Sequence, residues 1–237
     1  MESRLSGPEH TDPEIGNAIL DTFADRDREA LRDTTLVQRM LALDAAYARI
    51  GREHAVFRKS AADFGTPIAC PDLCGSCCIH FLPDTMPIEA DRIAFHLLTG
   101  RRDLIDHFFE NKKAAESRDA ACPFWNPEKP GENCMIYPVR PLVCRLFGFS
   151  STTDKNGEPT FSLCRHMPPH PGIEGRSLTG TTVMEGLFGA VPPHMADFSR
   201  EIVGLDPQEA GRRTSICEAL PLSLSKVSLL LQLAKSR

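Results

Sequence analysis

The sequence predicts a mainly α-helical protein with one small β-hairpin, in which helices flank an irregular, cysteine-rich core. Three observations carry this. Apolar residues recur at helical spacing in long stretches before and after the middle of the chain. Two β-prone runs flank Asn156-Gly157, a favoured hairpin turn. Between the helical stretches lies a segment rich in Pro and Gly that holds eight of the nine cysteines, from Cys70 to Cys164.

In chain order, residues 1–11 read as disordered, and Thr11-Asp12-Pro13-Glu14 is a helix-start signal that opens an N-terminal helical segment over 12–64. Within it, residues 28–62 carry Leu31, Leu36, Met40, Leu43, Tyr47, Ile50 and Phe57 at mostly helical spacing, with only Gly51 interrupting. The reading is one long amphipathic helix. It can pack on its own domain or present a face to a protein partner. Gly65-Thr66-Pro67 ends it and opens a cysteine-rich domain over 65–170.

Inside that domain, Pro87-Ile88-Glu89 starts a second helix through residue 98, and a third covers 101–117. The stretch from Cys122 to Cys134 has little regular structure and needs something beyond backbone pairing to hold it. Runs 146–152 and 159–164 form the hairpin. A two-residue turn would set Cys164 opposite Phe149, about 17 Å along the strand from Cys144 at roughly 3.4 Å per residue. Those two cysteines then serve different sites, or the pairing is offset. Pro168-Pro-His170-Pro171 is a rigid linker. Residues 171–237 form a C-terminal helical segment packing on the domain. It ends in a helix over 221–234, too short to span a bilayer, with Leu220, Leu224, Val227, Leu231 and Ala234 as its apolar stripe.

A net charge of -5 and a pI near 5.9 give no electrostatic reason to bind nucleic acid or an anionic membrane. The first residues hold no apolar run of signal-peptide type, so the expected location is cytoplasmic. In that reducing compartment, clustered thiols are metal ligands or redox groups more often than disulfides. Cys70-Pro-Asp-Leu-Cys74-Gly-Ser-Cys77-Cys78 places four of them in one loop, where thiolates can converge on a soft metal.

Cys70, Cys74, Cys77, Cys78, Cys122, Cys134, Cys144 and Cys164 are therefore the candidate ligands. A tetrahedral zinc site takes four, so eight thiols could supply two sites. Adjacent residues rarely aim at one ion, so Cys77 and Cys78 serve different sites or share a polynuclear centre. Thiolates at short spacing also hold iron-sulfur clusters such as [4Fe-4S], and spacing does not decide between zinc and iron. Cys70-x3-Cys74-x2-Cys77 has the spacing of radical S-adenosylmethionine enzymes, but Ser76 stands where those enzymes carry an aromatic residue. Their repeated βα units are not apparent either.

Four thiolates on a divalent ion leave net negative charge, and Arg140 and Arg145, flanking Cys144, are candidates to hydrogen-bond the sulfurs. His80 and His166 each lie two residues past a cysteine and could replace a thiolate. His54, His96 and His107 read as ordinary helix-face residues. Phe124, Trp125, Tyr137, Phe147 and Phe149 read as a small core around the site. Cys217, on a distant helix, reads as a buried apolar filler. No phosphate loop, nucleophile elbow or His-Glu-x-x-His pair occurs.

The four close cysteines, then Cys122-Pro123-Phe124, Cys134-Met-Ile136-Tyr137 and Arg140-Pro141-Leu-Val-Cys144-Arg145-Leu-Phe147, occur in an order that resembles the YkgJ-like cysteine cluster proteins. These are also called the CxxCxxCC zinc- or iron-chelating domain family. The resemblance covers about residues 67–166. Two features depart from it: three residues rather than two separate Cys70 from Cys74, and the long N-terminal helix lies outside. The resemblance implies metal chelation, and flagellin lysine methylases are similar in this cysteine pattern. Two functions follow as expectations. One is a metal-binding protein whose zinc or iron organises a loop-rich surface for a partner or small ligand. The other is an iron-sulfur-dependent redox or methyl-transfer enzyme.

Overall fold

The computed structural model describes residues 31, 34–68, 70, 75–115, 121–129, 133–164, 167, 173, 177–209 and 211–235. The expected disorder of 1–11, the helix start at Thr11 and the linker at 168–171 lie outside these residues, as do Cys74 and His166.

Among the described residues there are seven α-helices and two small antiparallel sheets, so the protein is mainly α. Helix α1, Thr35–Asp63, starts where Thr34 Oγ1 accepts the N–H of Val37. It buries Met40, Leu43, Tyr47, Ile50 and Phe57 on one face, and Gly65 at φ 80° closes it. Helix α2, Pro87–Gly100, opens with Pro at its start and with Glu89 accepting the N–H of Met86 at 2.9 Å. Helix α3 is Asp103–Ala115. Leu142–Leu146 forms the short α4, Thr181–Phe188 forms α5 and Met195–Leu205 forms α6. Helix α7, Ile216–Lys235, packs most extensively against α2. Helix α1 crosses α2, α5 and α6. A buried ion pair locks α1 to α2, with Arg92 Nε 2.9 and 3.0 Å from the two carboxylate oxygens of Asp44.

The strands are short. β1 (Asp84–Thr85) pairs with β5 (Thr214–Ser215), and β2 (Thr152–Thr153), β3 (Pro159–Ser162) and β4 (Ser177–Thr179) form a second sheet in that order. The hairpin is present, but its first strand is much shorter than residues 146–152. The chain is helical to Leu146, and Gly148 sits at φ 82°, which an extended run cannot accommodate. The register is Thr152 with Thr160, one residue off that of a two-residue turn. The longer loop has a physical cause. Asp154 Oδ1 accepts the N–H groups of Asn156 and Glu158, and Asp154 N–H bonds Glu158 O, which closes the turn around 154–158. The 17 Å separation therefore does not apply, because the chain between Cys144 and Phe149 is not extended. The third strand, β4, was not expected.

Helix α7 also differs, starting five residues before Pro221. At 20 residues and about 1.5 Å per residue it is close to 30 Å long, so it is not too short for a bilayer. Residues 216–234 have a mean hydropathy of 1.4 over the best window, of which 33% is buried within the protein. Ile216, Cys217, Leu220 and Val227 face inward, whereas Leu222, Leu229 and Leu233 are exposed.

Candidate metal centre

The cysteines reach one another because irregular segments of the chain converge on one cavity. The 3₁₀ turn Ser76–Ile79 carries Cys77 and Cys78, and the N–H of Cys122 bonds the carbonyl of Cys78 at 2.7 Å. Cys134 stands in an isolated antiparallel bridge with Trp125, reinforced by Met135 N–H to Phe124 O at 3.0 Å. The approach is close: a Cβ on Gly75 would lie 2.5 Å from Asn133 Cβ and 3.0 Å from the nitrogen of Cys134. Only glycine fits there.

The fourth wall is α4, which carries Cys144. Its N-terminus is capped by a residue from another helix, since Glu89 Oε1 accepts the N–H of Leu142 at 2.6 Å. The same oxygen accepts the hydroxyl of Tyr47 at 2.6 Å. Arg145 holds α4 from its other side, donating to the carbonyls of Arg140 at 3.1 Å and Pro138 at 2.6 Å, with its guanidinium 3.9 Å from the ring centre of Tyr47. In these contacts Arg145 braces backbone rather than sulfur.

Seven of the eight predicted ligands lie among the described residues: Cys70, Cys77, Cys78, Cys122, Cys134, Cys144 and Cys164 all line one cavity of about 50 Å³. No disulfide joins any two of the seven. Cys78 is at the centre, hydrogen-bonded to Cys122, Cys134 and Cys77, and these bonds push its own thiol up. The thiol of Cys77 is lowered to about 6, first by the bond from Cys78 and further by the charge of Arg140. Cys134 is lowered for the same leading reason. Burial raises Cys144, and its thiol feels Cys122, Cys134 and Cys77 as neighbours. The sulfurs thus bond to one another, and among the described residues no three Cys, His, Asp or Glu side chains surround a common point as metal ligands.

The donor set nevertheless fits a soft metal. Seven sulfurs line the cavity with no carboxylate among its lining residues, a donor set of the kind that structural zinc and iron-sulfur sites use. A cation faces them: Arg140 lines the cavity, stacks 3.8 Å over Tyr137, and its buried Nε has no hydrogen-bond partner among the described residues. A donor left in this way beside thiols is complementary to anionic sulfur.

Several sequence expectations shift here. His80 is exposed beside the cluster and does not enter its cavity. Phe147 is 47% exposed rather than part of a core. Phe124 is fully buried and stacks on Phe108 with centroids 5.4 Å apart. His54 is no ordinary face residue: it is buried, its Nε2 is 2.8 Å from Ser150 Oγ, and it packs edge-on against Phe198 and beside Phe149. Burial, then the charges of Arg140 and Arg58, lower its pKa to about 4. Cys217 is fully buried away from the cluster, its sulfur 4.0 Å from the carbonyl of Lys112. The roles of Tyr47 and Glu89 had no signal beyond the helix-start pattern at Pro87-Ile88-Glu89.

Fold and site together define a mainly α-helical protein with a thiol-lined cavity suited to a soft metal. Residues 69–165 match the family model "CxxCxxCC: Putative zinc- or iron-chelating domain", in agreement with the YkgJ-like resemblance of this cysteine-rich segment. The match covers less than half of the 237 residues and leaves α1, α5, α6 and α7 outside it. No curated protein and no solved structure matches the chain.

Proposed function

We propose that the chain binds zinc or iron in one shared thiolate centre built from Cys70, Cys77, Cys78, Cys122, Cys134, Cys144 and Cys164, with Cys74 as the eighth thiol. The centre fixes a loop-rich surface for a small ligand. The observation that supports this most directly is the gathering of seven cysteines, spread from Cys70 to Cys164, at one small cavity, with Cys78 in hydrogen-bond contact with three others. A single centre is favoured over two separate ones because the neighbours Cys77 and Cys78 both line that cavity. The metal supplies the crosslink that the segment over 122–147 lacks, turning ligand binding into folding energy. The chain's own residues supply the rest: Glu89 and Arg145 fix the helix under Cys144, and Arg140 offsets thiolate charge.

The test is elemental analysis and visible absorption of protein purified without oxygen, alongside Cys78→Ala and Cys217→Ala. About two zinc ions without colour, or iron with broad visible absorption, is expected. The iron outcome would turn the reading toward the redox or methyl-transfer enzyme. Cys78→Ala loses the metal and Cys217→Ala retains it. Metal-free protein with unchanged fold and Tm, or equal metal loss in both variants, overturns the proposal.

A further inference from the structure

A second and larger hollow opens directly beside the thiols. It has a volume of about 520 Å³ and shares Cys77, Phe147 and Cys164 with the cysteine cavity. That is within the range of small-molecule sites, roughly 300 to 1,000 Å³. Its rim is formed by Phe81 and Phe147, two aromatic rings 6.4 Å apart and inclined by 31°, which are 36% and 47% exposed. Aromatic side chains that touch each other and remain open to solvent offer rigid π surface to a planar molecule at low entropic cost.

The opposite wall is a row of hydroxyls. Thr152, Thr160 and Ser162 come from β2 and β3, and Ser150 lies deeper. These groups are held in place: Thr160 Oγ1 is 3.3 Å from Thr179 Oγ1, Ser162 Oγ is 3.3 Å from Ser177 Oγ, and Ser150 Oγ is 2.8 Å from His54 Nε2. Hydroxyls both donate and accept, so they suit a ring whose edge alternates donors and acceptors. No Lys, Arg, Asp or Glu lines the hollow among the described residues. A charged ligand entering it would lose hydration and meet only the exposed imidazole of His80 as an ionisable partner besides the thiols.

We infer that this groove binds a neutral, planar heteroaromatic molecule, stacked on Phe81 and Phe147, with its polar edge on the Ser/Thr row and one end against Cys77 and Cys164. The inference rests on the metal-centre reading for its purpose, since it brings such a ring to the thiolates. The two fail separately, because metal content reads the centre and ligand binding reads the groove.

The experiment uses the full chain as purified, with adenosine, AMP and N-acetylphenylalaninamide as probes, followed by saturation-transfer NMR and calorimetry. Metal is measured on every sample. Adenosine is expected to bind, and AMP about tenfold more weakly or worse because its phosphate meets no Lys or Arg. Phe147→Ala, at an exposed position, should weaken adenosine about tenfold. Thr160→Val, which keeps the shape, should weaken it about fivefold, and both variants should keep their metal. Binding by none of the probes overturns the inference, as does equal binding to wild type and both variants. Binding of N-acetylphenylalaninamide alone would assign the groove to a partner protein's side chain, and also overturns it.

Discussion

The carboxylate of Glu89, the third residue of α2, accepts the backbone N–H of Leu142, the first residue of α4, at 2.6 Å. One buried oxygen therefore caps the helix that carries Cys144, while its partner oxygen caps α2 itself. Removing it leaves two helix starts and the hydroxyl of Tyr47 without an acceptor. Glu89→Ala should cost about 3 kcal/mol or more, given about 1.5 to 3 kcal/mol for a hydrogen bond to a charged group. Chemical denaturation checks the cost. Thiol titration of the folded protein should show Cys144 becoming accessible, and Glu89→Gln, which retains an acceptor oxygen, should recover part of the loss.

Gly75 is exacting for a steric reason, since its φ of -114° is one any residue adopts. An added methyl would press on Asn133 Cβ at 2.5 Å and on the backbone of Asn133 at 2.9 Å, and backbone cannot step aside cheaply. Gly75→Ala should cost about 1 to 3 kcal/mol and lower metal content, because it forces Cys77 and Cys78 away from Cys134. Denaturant midpoints and elemental analysis read the two effects. Full stability with full metal content would contradict the packing.

The two arginines beside Cys144 separate into different tasks. Arg145→Ala should destabilise the protein by about 2 to 4 kcal/mol, as two carbonyls and the face of Tyr47 lose their partner. Arg140→Gln should change stability by less than about 1 kcal/mol. It should nevertheless raise the pH at which Cys77 of the metal-free protein is alkylated, because it removes a charge that helps hold that thiol low. Alkylation rates against pH distinguish the variants. An unmoved profile in Arg140→Gln would remove that arginine from the site's electrostatics.

Two histidines, His54 buried and His96 half-buried, set the acid limb of stability. His54 and His96 are both lowered from 6.5 to about 4, in each case first by burial. A histidine depressed in the folded state binds its proton more readily when unfolded. The stability it confers is complete above about 6.5 and is lost as pH falls toward 4. Each contributes on the order of 2 to 3 kcal/mol over that interval. His54→Gln, able to keep a bond to Ser150, should remove about half of the decline between pH 7 and 4.5. Urea melts across that range test it, and an unchanged slope would show that His54 does not titrate there.

The helices were legible wherever a face was buried. Met40, Leu43, Tyr47, Ile50 and Phe57 repeat because one side of α1 meets the core, and periodicity reports burial. The cysteine set was legible because soft-ligand chemistry compresses thiols into short spacings. What the residues did not reveal is mostly long-range. The cap on Leu142 comes from 53 positions earlier in the chain, and the bond from His54 to Ser150 spans 96 positions. Gly148 also escaped notice, since a β-prone run such as 146–152 gives no local warning that one glycine adopts a left-handed φ. The C-terminal helix was placed too late because Pro221 resembles a helix start, whereas it lies inside α7.

The cysteines also stand on a boundary. Cys78 and Cys122 belong to the larger hydrophobic cluster, with Cys77 and Cys134 packed against it. Cys70 and Cys164 pack instead on the smaller one, built around Phe57, Phe161 and Phe188. In the proposed centre a metal spanning these thiols would rivet together two bodies of apolar packing that α1 also runs through, with Ile50 in one and Phe57 in the other. Its loss would then show as unfolding in two stages rather than one.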